Sequence, residues 1–589
     1  MGEVPAATFT ERAVGRLPRW AAVTLGITAS VVGIVLATRP FRSLAVLVIV
    51  VVVALVVSGI VDLATPTATR QRWLSLVRGL AQVAAALALL LWPGPGLRVI
   101  TALAALALLV AGVTALVEGT QAEGSARWSG FGVGFAQAVL GALALSWRDV
   151  AVLVVAIAFA VRLVVFGVRL ALGGRTSQPR SRSGRRPRSR WRLATSIAAA
   201  TAAVLLALVS LLVQRGAPQV DPFYAAPDSV PTAPGQLLRT EPFNHDVPAG
   251  ATAWRILYTP TRDDGVPAVA SAIVVAPVRA EGPTPVVAWA HGTTGWATGC
   301  APSVLEHPFE AGALFSLDSV IEKGWTLVAT DYVGLGTEGS HPYLIGEPVA
   351  RSVLDSVRAA HQLDAVNLAE STVVWGHSQG GHAALWTGML APSYAPELEI
   401  AGVAALAPAS NLAGLVDVVG SIRVGSLFGA YVVQAYTDAY ADVSYDDYVR
   451  PGAQVIVREM AARCLSERGV IVSIATALLL DQPVWRQEPT TGPFAVRLAE
   501  NSPTGPITAP LLIGQGTADT LITSASQAAF VGSRCGEGQP VDYRAYTGRD
   551  HVGLMAEDSP AVADLVAWTD ERFSGAVPAD TCPELRARR

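Results

Sequence analysis

The run Gly376-His377-Ser378-Gln379-Gly380 is the densest chemical signal in the sequence. It follows the β-branched stretch Thr372-Val373-Val374-Trp375 and precedes Gly381 and a helical run through Leu390. A serine between two glycines, at a predicted strand-to-helix turn, reads as a nucleophile elbow. Neighbouring side chains would clash in so sharp a turn, hence Gly376 and Gly380. The turn lifts the Ser378 hydroxyl clear of the sheet. It also aims the N-terminus of the next helix at the reacting centre, where negative charge develops. The chemistry expected is attack on an acyl carbon through a covalent intermediate.

A serine hydroxyl needs a base, and the base needs an acid to orient it. With this elbow the acid follows the serine and the histidine comes last. Only His382 and His551 lie beyond Ser378. His382 falls one turn into the helix after the elbow, where it cannot serve Ser378, and reads as a helix-surface or core residue. His551 ends Thr547-Gly548-Arg549-Asp550-His551, directly after a predicted strand at 541–546, and is the expected base. The acid should follow the strand-like segment 509–514, in Gly514-Gln515-Gly516-Thr517-Ala518-Asp519, which selects Asp519. Asp550 is a rival with poor geometry, being next to His551, and Glu557 is a weaker one. An oxyanion needs two backbone N–H donors. Gln379 should supply one. The loop His291-Gly292-Thr293-Thr294-Gly295 should supply the other, from Thr293 first and Gly292 next. His291 reads as a brace for that loop.

These residues must be positioned by a sheet. Strands are predicted at 254–260, 268–275, 285–290, 325–330, 371–375, 400–407, 509–514 and 541–546, with helical stretches between. That alternation predicts a mostly parallel α/β sheet, and the elbow within it makes the expected fold that of an α/β-hydrolase. Residues 410–506 form an insertion between two strands, helical in pattern and rich in Tyr, Leu and Val. A helical cap lined with apolar side chains suits an acyl chain, although plain structural packing gives the same pattern.

The segment 285–305 (PVVAWAHGTTGWATGCAPSVL) resembles the secretory lipase family of fungi and actinobacteria. So do Asp331-Tyr332-Val333-Gly334-Leu335-Gly336, Pro342-Tyr343-Leu344, the elbow and Gly516-Thr517-Ala518-Asp519. The resemblance covers roughly 235–575. It implies hydrolysis of carboxylic esters, with an acyl ester or lipid as substrate and a cap over the site. No phosphate loop, dinucleotide fingerprint or metal-ligand cluster is present, and His307, His341 and His361 are scattered, so no cofactor or metal is implied.

The first third of the chain is different. Over 589 residues, 51% are hydrophobic, and the excess is concentrated in 1–213. Spanning a bilayer takes about 20 apolar residues. Seven spans are predicted, at 20–38, 43–64, 79–93, 98–118, 129–147, 151–172 and 193–213. Gly59, Gly112 and Gly167 recur at offsets of 53 and 55 residues, as do Gly33, Ala86 and Gly141. Residues 19–173 therefore read as three helical hairpins of one type, with small residues that let helices approach. This pattern resembles the HdeD-like short-repeat membrane proteins and implies no chemistry. Arg162 falls mid-span, a functional-site candidate by default, or a residue that snorkels or pairs structurally.

Arginines set the orientation. With the N-terminus inside, cytoplasmic segments hold Arg12, Arg16, Arg19, Arg70, Arg72, Arg78, Arg127 and the basic run 174–192, while external loops hold only Arg39, Arg42, Arg98 and Arg148. The run 174–192 then reads as a disordered linker that meets anionic lipid headgroups. The seventh span would deliver residues 214–589 outside the cytoplasm. Cysteine usage agrees: Cys300, Cys464, Cys535 and Cys582 all fall in that half, which suggests two disulfides on an oxidising side, or else four buried thiols. Of the three pairings, Cys300–Cys464 with Cys535–Cys582 is favoured, because the second pair flanks the last strand and helix. The net charge of −3 gives no case for nucleic acid.

The organisation expected is a tail (1–18), a six-helix membrane domain (19–173), the basic linker (174–192), a seventh span (193–213), a stalk (214–240), the hydrolase domain (241–575) and a C-terminal tail (576–589). Two other functions fit the same sequence: an envelope-lipid acyltransferase on this fold, or a transport or stress membrane protein with an accessory hydrolase domain. Oligomeric state is not legible.

Overall fold

The structure is a computed structural model that describes residues 19–39, 93–121, 123–172, 188–262, 265–422, 424–480 and 483–587, with isolated helical residues between 49 and 87. The spans predicted at 43–64 and 79–93, and residues 174–187 of the basic linker, lie outside the fully described segments. The side chain of Arg162 also lies outside the described residues.

Five long helices are described in the N-terminal region: α1 (Arg19–Ala37), α2 (Pro93–Gln121), α3 (Gly124–Ser146), α4 (Arg148–Leu172) and α5 (Arg188–Gln214). Stretches of α1, α3 and α5, namely Trp20–Ala37, Arg127–Ser146 and Leu193–Gln214, are long and apolar enough to cross a membrane. Their outward faces are apolar, with Ile34 and Leu205 each 57% exposed. A helix apolar all round needs an apolar surrounding. The helix α5 starts at Arg188, so the end of the predicted disordered linker is helical. Arginine and serine extend the helix that the apolar run establishes, since neither opposes helix strongly.

The helix pairs differ from three consecutive hairpins. Among the described helices, α2 lies along α3 and α1 lies along α4. Glycines allow the contact. A Cβ on Gly112 would meet the Gly134 carbonyl at 2.7 Å, and one on Gly167 would meet the Gly26 carbonyl at 2.4 Å. Among the described residues, Gly112 and Gly141 thus sit in the α2–α3 contact and Gly33 and Gly167 in the α1–α4 contact.

The C-terminal domain is built on nine strands: β1 (Leu237–Phe243), β2 (Ala251–Tyr258), β3 (Ala270–Pro277), β4 (Thr284–Ala290), β5 (Thr326–Thr330), β6 (Leu368–His377), β7 (Glu399–Leu406), β8 (Leu511–Gly516) and β9 (Asp542–Tyr546). They form one sheet in the order β1-β2-β3-β5-β4-β6-β7-β8-β9. Strands β1, β2, β3 and β5 pair antiparallel in sequence, and the remaining pairs are parallel. The central strands are buried on both faces, so they read as unbroken apolar runs such as Val373-Val374-Trp375.

Strand β1 begins inside the predicted stalk. Its sequence, LLRTEPF, is half polar because it is an edge strand with a solvated face. The segment before it also folds onto the domain. Phe223 and Tyr224 are buried, and the Tyr224 hydroxyl bonds Ser303. The apolar and aromatic residues of this segment remove the free stalk that its Pro and Ala content suggested.

The insertion between β7 and β8 carries helices α7 (Leu412–Ser421) and α8 (Ser426–Ala439), while α6 (Gln379–Tyr394) follows the elbow. Asn501 ties the insertion to the body. Its carbonyl accepts from His382 Nε2 at 2.8 Å and Trp386 Nε1 at 2.9 Å, and its Oδ1 accepts from the Gly346 N–H at 2.9 Å. Disulfides join Cys300 to Cys464 and Cys535 to Cys582. The first fastens the segment after β4 to the insertion.

Candidate active site

The end of β6 and the start of α6 leave one residue between them, Ser378, at φ 58° and ψ −117°. A non-glycine residue held there is strained and needs its surroundings to enforce it. The flanking glycines permit this. A Cβ on Gly376 would lie 2.0 Å from the Gly380 carbonyl oxygen, and one on Gly380 would lie 1.9 Å from the Ala290 oxygen.

Three residues far apart in sequence meet at this turn. The Ser378 hydroxyl lies 2.8 Å from His551 Nε2, and His551 Nδ1 lies 2.7 Å from Asp519 Oδ2. Asp519 follows β8 and His551 follows β9, so parallel strand ends deliver both. Asp519 Oδ1 accepts from the N–H groups of Leu521 and Ile522, each at 2.8 Å. Burial pushes the Asp519 carboxyl up, but the hydrogen bond and charge of His551 and these two N–H groups outweigh it, so its pKa lies below the ordinary value. A carboxylate only accepts. His551 Nδ1 therefore carries the proton, and Nε2 keeps a lone pair facing the hydroxyl.

The rivals point elsewhere. Asp550 Oδ1 accepts from the Gly553 N–H in its own turn, and Glu557 is exposed. His382 is buried and engaged with Asn501.

The N–H groups of Gln379 and Thr293 have no hydrogen-bond partner among the described residues. Both residues line an apolar slot beside Ser378. Gly292, the second choice for a donor, is excluded, because its N–H is spent on the Gly312 carbonyl at 3.0 Å. That acceptor arrives from a distant turn, so local sequence could not reveal it. His291 braces the loop, with Nδ1 2.7 Å from the Gly292 carbonyl.

Two supporting side chains were not singled out from sequence. His341 Nε2 lies 3.0 Å from the Gln379 side-chain nitrogen. Its other nitrogen faces the Val333 carbonyl at 3.3 Å, so Nδ1 donates and Nε2 accepts. Gln515 donates to the Ile522 carbonyl at 2.9 Å and bridges the turn that carries Asp519. The only sequence signal for His341 is its place beside Pro342-Tyr343, where Tyr343 bonds the Thr293 hydroxyl at 2.9 Å.

Two hollows meet at Ser378. One is an open mouth of about 310 Å³ that includes His551, Thr293, Glu310 and Leu465. The other is a nearly closed slot of about 20 Å³, lined by Leu415, Val416 and Val419 of α7 and Phe428 and Val432 of α8.

Burial holds four histidines neutral: His291 and His382 at about 4, His341 and His377 at about 3. Below pH 6.5 the unfolded chain gains protons on these residues that the native state refuses, so stability falls with pH. Each contributes up to about 1.4 kcal/mol per pH unit. Buried Asp331 and Asp355, raised to about 6 by burial, act oppositely below that pH. The net loss below pH 6 is then that of roughly two histidines. A thermal midpoint that falls steadily from pH 7 to 5 is expected; a flat one contradicts the assignment.

Comparison with known proteins bears on the whole arrangement. Residues 311–581 match the family model described as secretory lipase. Residues 24–91, 77–137 and 132–208 each match a short repeat of unknown function (DUF308), with which the HdeD-like reading is consistent. A protein named as a probable inactive lipase of Mycobacterium tuberculosis is 27% identical over 389 residues, 61% of this chain and 83% of that one. Lipase A of Moesziomyces aphidis is 30% identical over 35% of this chain and 47% of its own. A secreted triacylglycerol lipase of Malassezia globosa is 30% identical over 38% of this chain and 52% of its own. The chain thus spans about half the length of these two fungal relatives. Among solved structures, Candida antarctica lipase A is 19% identical with a TM-score of 0.52, covering 62% of this chain and 87% of that one. That likeness establishes the lipase-like α/β-hydrolase fold. The resemblance to secretory lipases read from the sequence therefore holds.

Proposed function

We propose that this chain is a serine ester hydrolase in which Ser378 attacks the acyl carbon, His551 moves the proton and Asp519 orients His551. The observation that carries this is the unbroken relay from Ser378 Oγ through His551 to Asp519. As Ser378 Oγ bonds to the acyl carbon, its proton passes to His551 Nε2, and the carbonyl oxygen gains charge beside the Gln379 and Thr293 N–H groups. The C–O bond to the alcohol then breaks, and His551 returns the proton to the departing oxygen. Water repeats the sequence on the acyl-enzyme and frees the acid. The mycobacterial relative is named as probably inactive, but the intact relay supports an active enzyme here.

Acyl esters of the acylglycerol kind are the proposed substrates, because the Malassezia globosa relative is a triacylglycerol lipase by name. At about 20 Å³ the apolar slot holds no acyl chain as it stands, so α7 and α8 would have to part for the chain to enter there, with the alcohol in the mouth. The apolar helices and the arginine bias support a multi-pass anchor with the N-terminus in the cytoplasm and the hydrolase domain outside it, next to membrane lipids. The two disulfides support that side.

The test is turnover of p-nitrophenyl esters by the full-length protein in detergent. Once α7 and α8 part, a slot lined by these branched and aromatic side chains should reward each buried methylene by up to about 0.8 kcal/mol. The ratio kcat/KM should therefore rise by at least about 10-fold from C2 to C8. Folded protein that turns over no ester of any length sinks the reading.

A further inference from the structure

We infer that His377 is a positioning residue for His551, an inference that rests on the ester-hydrolase reading. His377 closes β6, next to the nucleophile, and its ring is 2% exposed. Its Nε2 lies 2.9 Å from the backbone carbonyl oxygen of His551. A carbonyl only accepts, so Nε2 carries the proton and donates. Nδ1 is buried with no partner among the described residues. The ring's whole hydrogen-bonding contribution therefore goes to the loop that carries the base. The two imidazoles sit with centroids 4.8 Å apart, tilted by 43°. Burial, and then the nearby charge of His551, hold His377 neutral, so it remains a single donor at working pH.

This contact fills a gap in how the loop is held. Its flanks are fastened elsewhere: the Gly548 N–H donates to Thr517 Oγ1 at 2.9 Å, and the Leu554 N–H donates to the Asp550 carbonyl at 3.1 Å. No backbone N–H among the described residues reaches the His551 carbonyl. His551 is thus held at three points: Asp519 at Nδ1, Ser378 at Nε2 and His377 at the main chain. The Ser378 contact is lost once Oγ carries the acyl group and has no proton to give. During deacylation, when Nε2 must face water instead, only Asp519 and His377 still hold the base. A misplacement on the order of 1 Å at a reacting group can cost about 10²-fold in rate.

The test compares His377→Leu, which fills the space without a donor, with His377→Gln, whose side-chain N–H reaches about as far as the histidine Nε2. In the full-length protein acting on p-nitrophenyl octanoate, His377→Leu should lower kcat by roughly 10- to 100-fold with KM within about 2-fold. His377→Gln should recover most of that loss. In a His551→Ala background, adding His377→Leu should cost nothing further, because groups that act as a unit are not additive. Hydrogen exchange across 547–555 reads the same clamp without turnover and should quicken in His377→Leu but not in His377→Gln. Unchanged exchange in His377→Leu, or an equal loss of rate with and without His551, overturns the inference. If the wild type turns over no ester, the hydrolase reading fails by itself, and the exchange result still decides whether His377 holds the loop.

Discussion

Ser378→Ala is expected to lower kcat on p-nitrophenyl esters by at least about 10³-fold. The argument is geometric. Ser378 is the hydroxyl that faces His551 Nε2, and the backbone at φ 58° presents it to both hollows. Removing one oxygen deletes the acyl-enzyme route and leaves the Gln379 and Thr293 N–H groups in place. Residual turnover by water attack on a bound ester should therefore persist, since donor groups and binding alone retain some rate enhancement. KM should move little. Full-length wild type and variant, assayed side by side with matched thermal midpoints, separate loss of the nucleophile from loss of fold. Equal rates in the two proteins would falsify nucleophilic attack by Ser378.

Asp519→Asn should cost nearly as much, on the order of 10³- to 10⁴-fold in kcat. Its local bonds dictate how the amide sits. Two backbone N–H groups, from Leu521 and Ile522, point at Oδ1, so that position must remain an oxygen. The amide nitrogen is then forced into the Oδ2 position, 2.7 Å from His551 Nδ1. An NH₂ there donates, which turns Nδ1 into an acceptor and moves the imidazole proton to Nε2. The base then offers a proton, not a lone pair, to the Ser378 hydroxyl. The fold should tolerate the change because shape and both Oδ1 bonds survive. Reaction of Ser378 with a fluorophosphonate probe should slow in parallel with ester turnover. A variant that labels as fast as wild type would show that Asp519 does not set the tautomer.

The two halves of the chain differed in what their residues disclosed. Ser378, Asp519 and His551 could be named because each sits within a few residues of a strand end, and strand ends are where a parallel sheet delivers side chains. The elbow was plain because its geometry admits few residues besides glycine at positions 376 and 380. Gly292 could not be ruled out as a donor from sequence, because its N–H is taken by Gly312, which arrives from a distant turn. His341, Gln515 and the His377 contact were hidden for the same reason, since each depends on a partner brought in by tertiary folding. Strand β1 escaped notice because an edge strand with charges on its solvated face lacks the apolar run that marks the others. In the helical region the glycine spacing predicted close approach but not the partner helix, because a small residue permits contact without specifying which neighbour makes it.

The pairing of α1 with α4 bears on how the helical region is made. The glycine face of α1 leaves the ribosome first, yet its partner face on α4 is synthesised only after α2 and α3. The α1–α4 pairing must therefore wait for α4, and a product truncated before it would leave the glycine face of α1 uncovered by that partner. A chain in which α1 has paired with α4 has, by that fact, been translated through Leu172.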